Sequence, residues 1–232
     1  MVFVVAEIGV NWDGDFQLAR DMMQHAKDSG CNAVKFQAYT PELIKEHPHA
    51  SRLIKSSIVN SNIGEIDKIA KSVGIEWFCT PMYPEAVDFL NHYVSRFKIR
   101  WSDGKELFKN NTSKILEKIL ATGKEVMISC DVNPKKLSLY NKPNITWLYC
   151  VPKYPCELNE FNFTEIHDYD GFSNHCPHFL APLSAAVLNT KIIEIHITSD
   201  KSKDFFDNNV SFDYDELSEL MNLIRLSEKM NK

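Results

Sequence analysis

Two histidines in the second half of the chain have a spacing that could form a metal site. His175 ends the stretch GFSNH at residues 171–175, and His196 lies in the apolar run of residues 191–198. If the two runs are neighbouring β-strands, their imidazoles can ligate one divalent ion. Each histidine alone is more often a hydrogen-bonded core or surface residue. The expected metal site therefore rests on the pairing.

Two lysines, Lys35 and Lys98, lie inside apolar runs, where an ammonium without a partner is costly. One interpretation is that they bind a phosphate or carboxylate. Another is a buried ion pair with Glu7, Asp103 or Glu194. A lysine with a depressed pKa would also permit the Schiff-base chemistry of a class-I aldolase. The presence of two lysines favours anion binding.

A glutamate, Glu7, stands near the end of the first apolar run, in the sequence AEIGVN at residues 6–11. At the mouth of a barrel its carboxylate can orient a substrate hydroxyl or transfer a proton. An ion pair with one of the lysines explains the same position equally well. The spacing leaves both roles open.

The elements that must position these side chains are eight apolar runs, each ending at or near a polar residue. Those polar residues are Glu7, Lys35, Thr80, Lys98, Ser129, Tyr154, His175 and His196. Eight strands, each returned by a helix, predict an α/β protein with a (β/α)8 TIM barrel, whose active site lies at the carboxyl ends of the strands. We expect one domain over residues 1–232.

The predicted strands are residues 3–9, 31–37, 76–80, 96–100, 125–129, 146–150, 171–173 and 191–198. The predicted helices include residues 63–73, 84–93, 105–122, 179–188 and 214–229, after a first helix that ends near residue 29. Because strand side chains alternate, Lys35 and Gln37 should share the inner face. We predict a long loop with some helix over residues 41–62.

Composition excludes several classes of partner. A net charge of -5 and a sequence pI near 5.9 argue against nucleic-acid binding. No apolar run approaches the roughly 20 residues of a membrane helix. The six cysteines include no CxxC pair, which argues against structural zinc and predicts a reducing, cytoplasmic location.

Seven short motifs, in order along nearly the whole chain, resemble the sialic acid synthase family of phosphoenolpyruvate-dependent condensing enzymes. They are AEIGVN at 6–11, AVKFQ at 33–37, FCTP at 78–81, FKI at 97–99, YP at 154–155, GFSNH at 171–175 and EIHIT at 194–198. The resemblance implies the same barrel. It also implies condensation of phosphoenolpyruvate with an N-acyl amino sugar to give a nine-carbon 2-keto acid and phosphate.

The resemblance also implies roles for individual residues. His175 and His196 would bind Mn2+ or Mg2+, a Lewis acid for the aldehyde oxygen. Glu7 would be the acid or base. The residues that would hold phosphoenolpyruvate are Lys35, Thr80, Lys98, Ser129, Tyr154 and Ser173. The residues that would contact the sugar are Glu7, Gln37, Asp103 and Asp207.

The chain departs from the family pattern around the expected anion site. The departures are Trp12, Arg100, Trp101, Cys130, Asp131, Pro152 and Asn174. Trp101 stands where the family has a serine, and Asp131 adds negative charge, so Arg100 is expected to supply the missing phosphate contact. These changes motivate an alternative: a non-catalytic barrel that binds an anionic metabolite or a partner enzyme.

The resemblance is to the barrel domain only. Members of the family generally carry a carboxyl-terminal antifreeze-like domain that closes over the partner subunit's active site, and this chain stops after the last predicted helix. We therefore expect the segment 41–62, a homodimer partner or a separate capping protein to close the mouth.

Overall fold

Eight parallel strands form a closed barrel in sequence order in the computed structural model, which describes residues 1–109 and 111–230. The strands are β1 Phe3–Gly9, β2 Ala33–Ala38, β3 Glu76–Pro81, β4 Arg96–Ile99, β5 Glu125–Cys130, β6 Ile145–Tyr149, β7 Gly171–Ser173 and β8 Ile192–His196. β8 pairs with β1 and closes the circle. The predicted (β/α)8 TIM barrel is confirmed. The extent of the domain, residues 1–232, stays a prediction.

The strands form where the apolar runs were found, with end points that differ from the predicted ones by up to two residues. Their outward side chains pack under the helices, as Val34 and Phe36 do on β2. The predicted alternation on β2 is confirmed, because Lys35 and Gln37 both line the interior. A strand that is apolar outside and polar inside delivers its polar side chains to the barrel mouth.

α-Helices follow six of the eight strands and cover the barrel, whereas the β5–β6 and β6–β7 connections contain 3-10 turns. The helices are α1 Phe16–Asp28, α2 Pro41–Ile44, α3 Ala50–Leu53, α4 Ile63–Val73, α5 Pro84–Leu90, α6 Trp101–Gly104, α7 Lys114–Ala121, α8 Leu180–Val187 and α9 Tyr214–Met230. Among the described residues, none of these helices has both the length and the apolar character needed to cross a membrane.

The predicted helix over residues 105–122 is wrong in its first half. Residues Lys105–Lys109 form a 3-10 helix, and α7 begins only at Lys114. Ser113 caps α7, since its hydroxyl accepts from the Leu116 N–H at 3.3 Å. Asn110, which the predicted helix also covered, lies outside the described residues.

The long segment between β2 and α4 contains α2, α3 and a 3-10 turn at Ile54–Ser56, which confirms the predicted loop with some helix. Trp12 anchors this segment from below. Its indole is fully buried, lies edge-on to Phe36, and donates from Nε1 to the Ser56 carbonyl at 3.0 Å. The segment is therefore held over the carboxyl ends of β1 and β2.

Candidate active site

A cavity of about 490 Å3 opens at the carboxyl ends of the strands. All but two of the predicted site residues line it: Glu7, Lys35, Gln37, Lys98, Ser129, Tyr154, Ser173, His175, His196 and Asp207. Thr80 lies behind Lys35 and accepts from its Nζ at 3.1 Å. Asp103 does not line the cavity and is held by Arg100, which does.

The floor of the cavity is a network of two lysines and two glutamates. Lys35 Nζ lies 3.0 Å from Glu7 Oε2 and 3.7 Å from Glu194 Oε2. Lys98 Nζ lies 3.0 Å from Glu194 Oε1, which also accepts from the Ser173 hydroxyl at 2.8 Å. The buried ion pairs considered from the sequence are present for Glu7 and Glu194, but not for Asp103.

Burial and the charges of the network shift the pKa values of its two lysines in opposite directions. Burial acts to lower the pKa of Lys35, but the charges of Glu194 and Glu7 outweigh it and the pKa is raised. For Lys98 burial dominates, and its pKa is lowered despite Glu194. Burial acts to raise the pKa of Glu194, but the two ammonium groups hold it below its ordinary value.

Glu194 is a site residue that sequence reasoning considered only as an ion-pair partner. The alternation of side chains on β8 could have indicated this role, because Glu194 stands two residues before His196 and therefore on the same face. The register places it opposite Ser173 on β7.

The two predicted histidines meet on one side of the floor. The ring centroids of His175 and His196 are 5.6 Å apart, and the Tyr154 ring lies 5.1 Å and 5.6 Å from them. Burial, and then the neighbouring His196, lowers the pKa of His175 to about 3. His175 is therefore neutral at pH 7, which is the form that ligates metals.

A carboxylate completes this side of the cavity. Asp207 Oδ2 lies 3.5 Å from His196 Nδ1. Burial acts to raise the pKa of Asp207, but its interaction with His196 outweighs burial and lowers it. The hydroxyl of Tyr154 also approaches His196 Nδ1 at 3.5 Å. Burial, together with the charge of Asp207, raises the pKa of Tyr154.

The donor set here suits a divalent ion that keeps open coordination positions. In the described part of the chain, no three His, Cys, Asp or Glu side chains are arranged to hold an ion by themselves. An ion held by the two imidazoles would keep coordination positions for other oxygen ligands, as ions in catalytic metal sites do.

Close approach of the backbone lets the acids converge. Gly9 has φ +54°, and a Cβ there would lie 3.1 Å from Asp207 Oδ2, 3.2 Å from Glu7 Oε1 and 3.3 Å from Gln37 Nε2. Sequence reasoning missed Gly9 as a site residue, although it lies in the motif at residues 6–11. Only glycine combines this backbone conformation with the space the three side chains need.

The mouth carries several of the departures from the family pattern. Trp101 lines the cavity and donates from Nε1 to Asp131 Oδ1 at 2.7 Å. Arg100, expected to contact phosphate, donates to both carboxylate oxygens of Asp103 at 2.6 Å and 3.0 Å. Trp12 lies under the segment after β2 and does not line the cavity.

One side of the mouth is apolar, which the sequence did not reveal. We call it the apolar wall, and its members are Val10, Tyr39, Ile44, Leu53, Met82 and Phe206. These residues come from four different loops or strand ends. No spacing pattern in the sequence joins them.

A parallel eight-stranded barrel with a charged floor and a histidine pair at its carboxyl-terminal face defines the class: a TIM barrel with an enzyme-like site. Within that class the chain belongs to the NeuB family, whose family model matches residues 22–232. The resemblance to sialic acid synthases is thereby confirmed.

Relatives of this chain include named sugar-acid synthases and an uncharacterized protein. An uncharacterized protein of Methanocaldococcus jannaschii is 32% identical over 98% of this chain and 71% of its own length. An N,N'-diacetyllegionaminic acid synthase of Legionella pneumophila is 30% identical over 97% of this chain and 72% of its own. A pseudaminic acid synthase of Campylobacter jejuni is 26% identical over 98% and 74%.

A solved structure shows the same fold. The N-acetylneuraminic acid synthetase of Leptospira borgpetersenii, in complex with citrate, superposes with a TM-score of 0.86 at 24% identity. The superposition covers 99% of this chain and 85% of the other.

Proposed function

We propose that this protein condenses phosphoenolpyruvate with the aldehyde of an N-acyl amino sugar, releasing phosphate and forming a nine-carbon 2-keto acid. The observation that carries the proposal is the convergence of two buried lysines and two histidines on one cavity. Its support from the comparisons is the family and the sialic-acid-type synthases among its relatives.

Phosphoenolpyruvate would lie on the floor between Lys98 and the histidine pair. An ammonium has three N–H donors. Among the described residues, Lys35 donates to Thr80 and lies 3.0 Å from Glu7, with Glu194 farther away at 3.7 Å, whereas Lys98 donates to Ser129 and Glu194. Each ammonium therefore keeps one donor that can contact the anion.

In the reaction, the methylene carbon of phosphoenolpyruvate forms the new bond to the aldehyde carbon, water adds at the carbon that carries the phosphate, and the C–O bond to phosphate breaks. His175 and His196 would hold Mn2+ or Mg2+, which when bound polarises the aldehyde oxygen. Glu7 would move a proton from the water to the aldehyde oxygen, which becomes the new hydroxyl, since Oε1 accepts from Gln37 at 2.8 Å and Oε2 faces Lys35. Gln37, Asp207 and Tyr154 would orient the sugar.

The test is phosphate release from phosphoenolpyruvate in the presence of Mn2+ and a panel of N-acyl hexosamines. We expect release that requires an aldose, stops with a chelator and is lost in His196→Ala. His92→Ala, at an exposed histidine outside the cavity, is the matched control and should keep full activity. Tight binding of phosphoenolpyruvate without release by any aldose would favour the non-catalytic barrel instead.

One observation favours a second candidate, a Schiff-base aldolase. The pKa of Lys98 is lowered by burial, and a neutral amine is the nucleophile in that chemistry. Borohydride would then trap a covalent adduct that Lys98→Met abolishes, and chelators would leave turnover unchanged. Chelator-sensitive phosphate release without a trapped adduct excludes this candidate.

A further inference from the structure

The apolar wall begins one step nearer the mouth than the polar floor. Val10, Tyr39 and Met82 come directly after the last residues of β1, β2 and β3. A molecule held by its reactive end on the floor therefore meets the wall with atoms further along its chain.

The wall offers few polar atoms to a bound molecule. The Tyr39 hydroxyl donates to the Leu53 carbonyl at 2.5 Å, which leaves its ring as the lining surface. The guanidinium of Arg52 pairs with Asp13 at 2.9 Å and with Asp204 at 3.3 Å, and lies 4.9 Å from the Phe206 ring centroid. Arg52 does not line the cavity.

His47 lines the cavity at the edge of the wall and is a polar side chain. Its ring lies edge-on to Phe206, with centroids 5.8 Å apart. The wall as a whole is suited to methyl and methylene groups.

Every lysine and arginine that lines the cavity in the described residues already has a carboxylate partner. Lys35 pairs with Glu7, and Lys98 with Glu194. At the mouth, Arg100 pairs with Asp103 at 2.6 Å. The remaining cation, Lys153, pairs with Glu160 at 2.6 Å. A second phosphate group would lose its hydration without gaining a free cation, which is costly.

We propose that the apolar wall selects an amino sugar whose end remote from the aldehyde is a methyl group, and discriminates against one that carries a phosphate there. The inference rests on the proposed function for the position of the aldehyde.

The experiment compares three aldoses that differ only at carbon 6: N-acetyl-6-deoxymannosamine, N-acetylmannosamine and its 6-phosphate. Binding is measured by calorimetry in the presence of phosphoenolpyruvate and Mn2+, and turnover by phosphate release. We expect the methyl form to be preferred over the hydroxymethyl form by about tenfold, with the 6-phosphate weakest. Equal or tighter binding of the 6-phosphate, or no binding of any of the three, would overturn the inference.

A variant tests whether the wall is the cause. Met82→Lys places an unpaired cation in the wall and should raise the affinity for the 6-phosphate relative to the 6-deoxy form at least about tenfold. Leu43→Lys, 53% exposed in the same segment and outside the cavity, is the matched control and should leave the ratio unchanged. Ile44→Lys, also in the wall and half-buried, repeats the test if Met82→Lys does not fold. An unchanged ratio in a folded wall variant contradicts the assignment.

The two proposals fail in distinguishable ways. Binding in the expected order without phosphate release from any aldose contradicts the proposed function and supports the wall. Phosphate release without a preference among the three aldoses supports the proposed function and contradicts the wall.

Discussion

The charge balance of the cavity depends on the carboxylate of Glu194. It lies between Lys35 and Lys98 and also accepts from Ser173. Because Glu7 neutralises part of the charge on Lys35, the floor without substrate is nearly neutral. An incoming anion must therefore use donors that the network leaves open, and Lys98 has one.

Lys98 is therefore expected to contribute more to anion binding than Lys153, which lies at the mouth of the cavity. Lys98→Met should lower kcat/KM for phosphoenolpyruvate by about 100-fold, a loss typical of removing one charged donor in a buried site. Initial rates of phosphate release measure it. Lys153→Met is the matched control, since Lys153 lines the mouth and pairs with Glu160. Equal losses in the two variants would contradict the role given to Lys98.

Glu194 should also make stability depend on pH. Its folded pKa lies below the unfolded value, so its contribution is present above about pH 4.3 and is lost as pH falls below that value. Glu194→Gln should lower the free energy of unfolding by about 3 kcal/mol at pH 7, because it leaves buried ammonium groups short of a partner. The difference in the free energy of unfolding between Glu194→Gln and the wild type should become smaller below about pH 5.

Urea unfolding at a series of pH values measures this effect. Glu219→Gln, at an exposed glutamate of α9, is the control and should match wild type throughout. A difference for Glu194→Gln that stays constant or grows as the pH falls would contradict the assigned charge state of Glu194.

Among the elements, β7 is the shortest strand, and its place between β6 and β8 depends on Gly171. A Cβ at this glycine would lie 2.5 Å from the Ile192 carbonyl oxygen and 2.6 Å from Leu148 Cδ2. The close packing of β7 positions Ser173, and the residues that follow it, at the floor.

Gly171→Ala should therefore lower the free energy of unfolding by about 3 kcal/mol, since backbone as well as side chain must move. Gly64→Ala in α4 is the matched control, because a Cβ there meets nothing within 4 Å. That substitution should stabilise the protein by about 0.5 to 1 kcal/mol. Chemical unfolding of both variants measures the contrast, and equal effects would contradict it.

The segment between β2 and α4 should loosen when its anchor is weakened. Trp12→Phe removes the hydrogen bond to the Ser56 carbonyl and should increase limited proteolysis within residues 41–56. Trp77→Phe removes a comparable bond to Asp67, away from the segment, and should cost similar stability without new cleavage there. Mass spectrometry of the fragments distinguishes the two. The same cleavage pattern in both variants would contradict the anchoring role.

Sequence reasoning located the strands because each is an apolar run that ends in a polar residue, and strand alternation is a local rule. It misplaced the helix over residues 105–122 because apolar spacing was extended across the Ser113 cap. The partners of Lys35 and Lys98 stayed open, because they depend on how neighbouring strands align. The apolar wall could not be predicted for the same reason, because its residues come from separate loops that only the fold brings together.

For the molecule as a whole, closure of the barrel brings site residues from the first and last strands together. β8 pairs with β1 so that His196 lies opposite Glu7, and β1 pairs with β2 so that Glu7 lies opposite Lys35. Residues separated by most of the sequence thus share one floor. Closure therefore places the histidine pair, which β7 and β8 bring together, beside Glu7 and Lys35.

Mn2+ binding to the full chain, followed by electron paramagnetic resonance of the free ion, tests the proposed metal-assisted condensation most directly. We predict one Mn2+ site per chain in the wild type, lost in both His175→Ala and His196→Ala and retained in His92→Ala. A wild-type chain that binds no Mn2+, or histidine variants that bind it as the wild type does, would contradict the account.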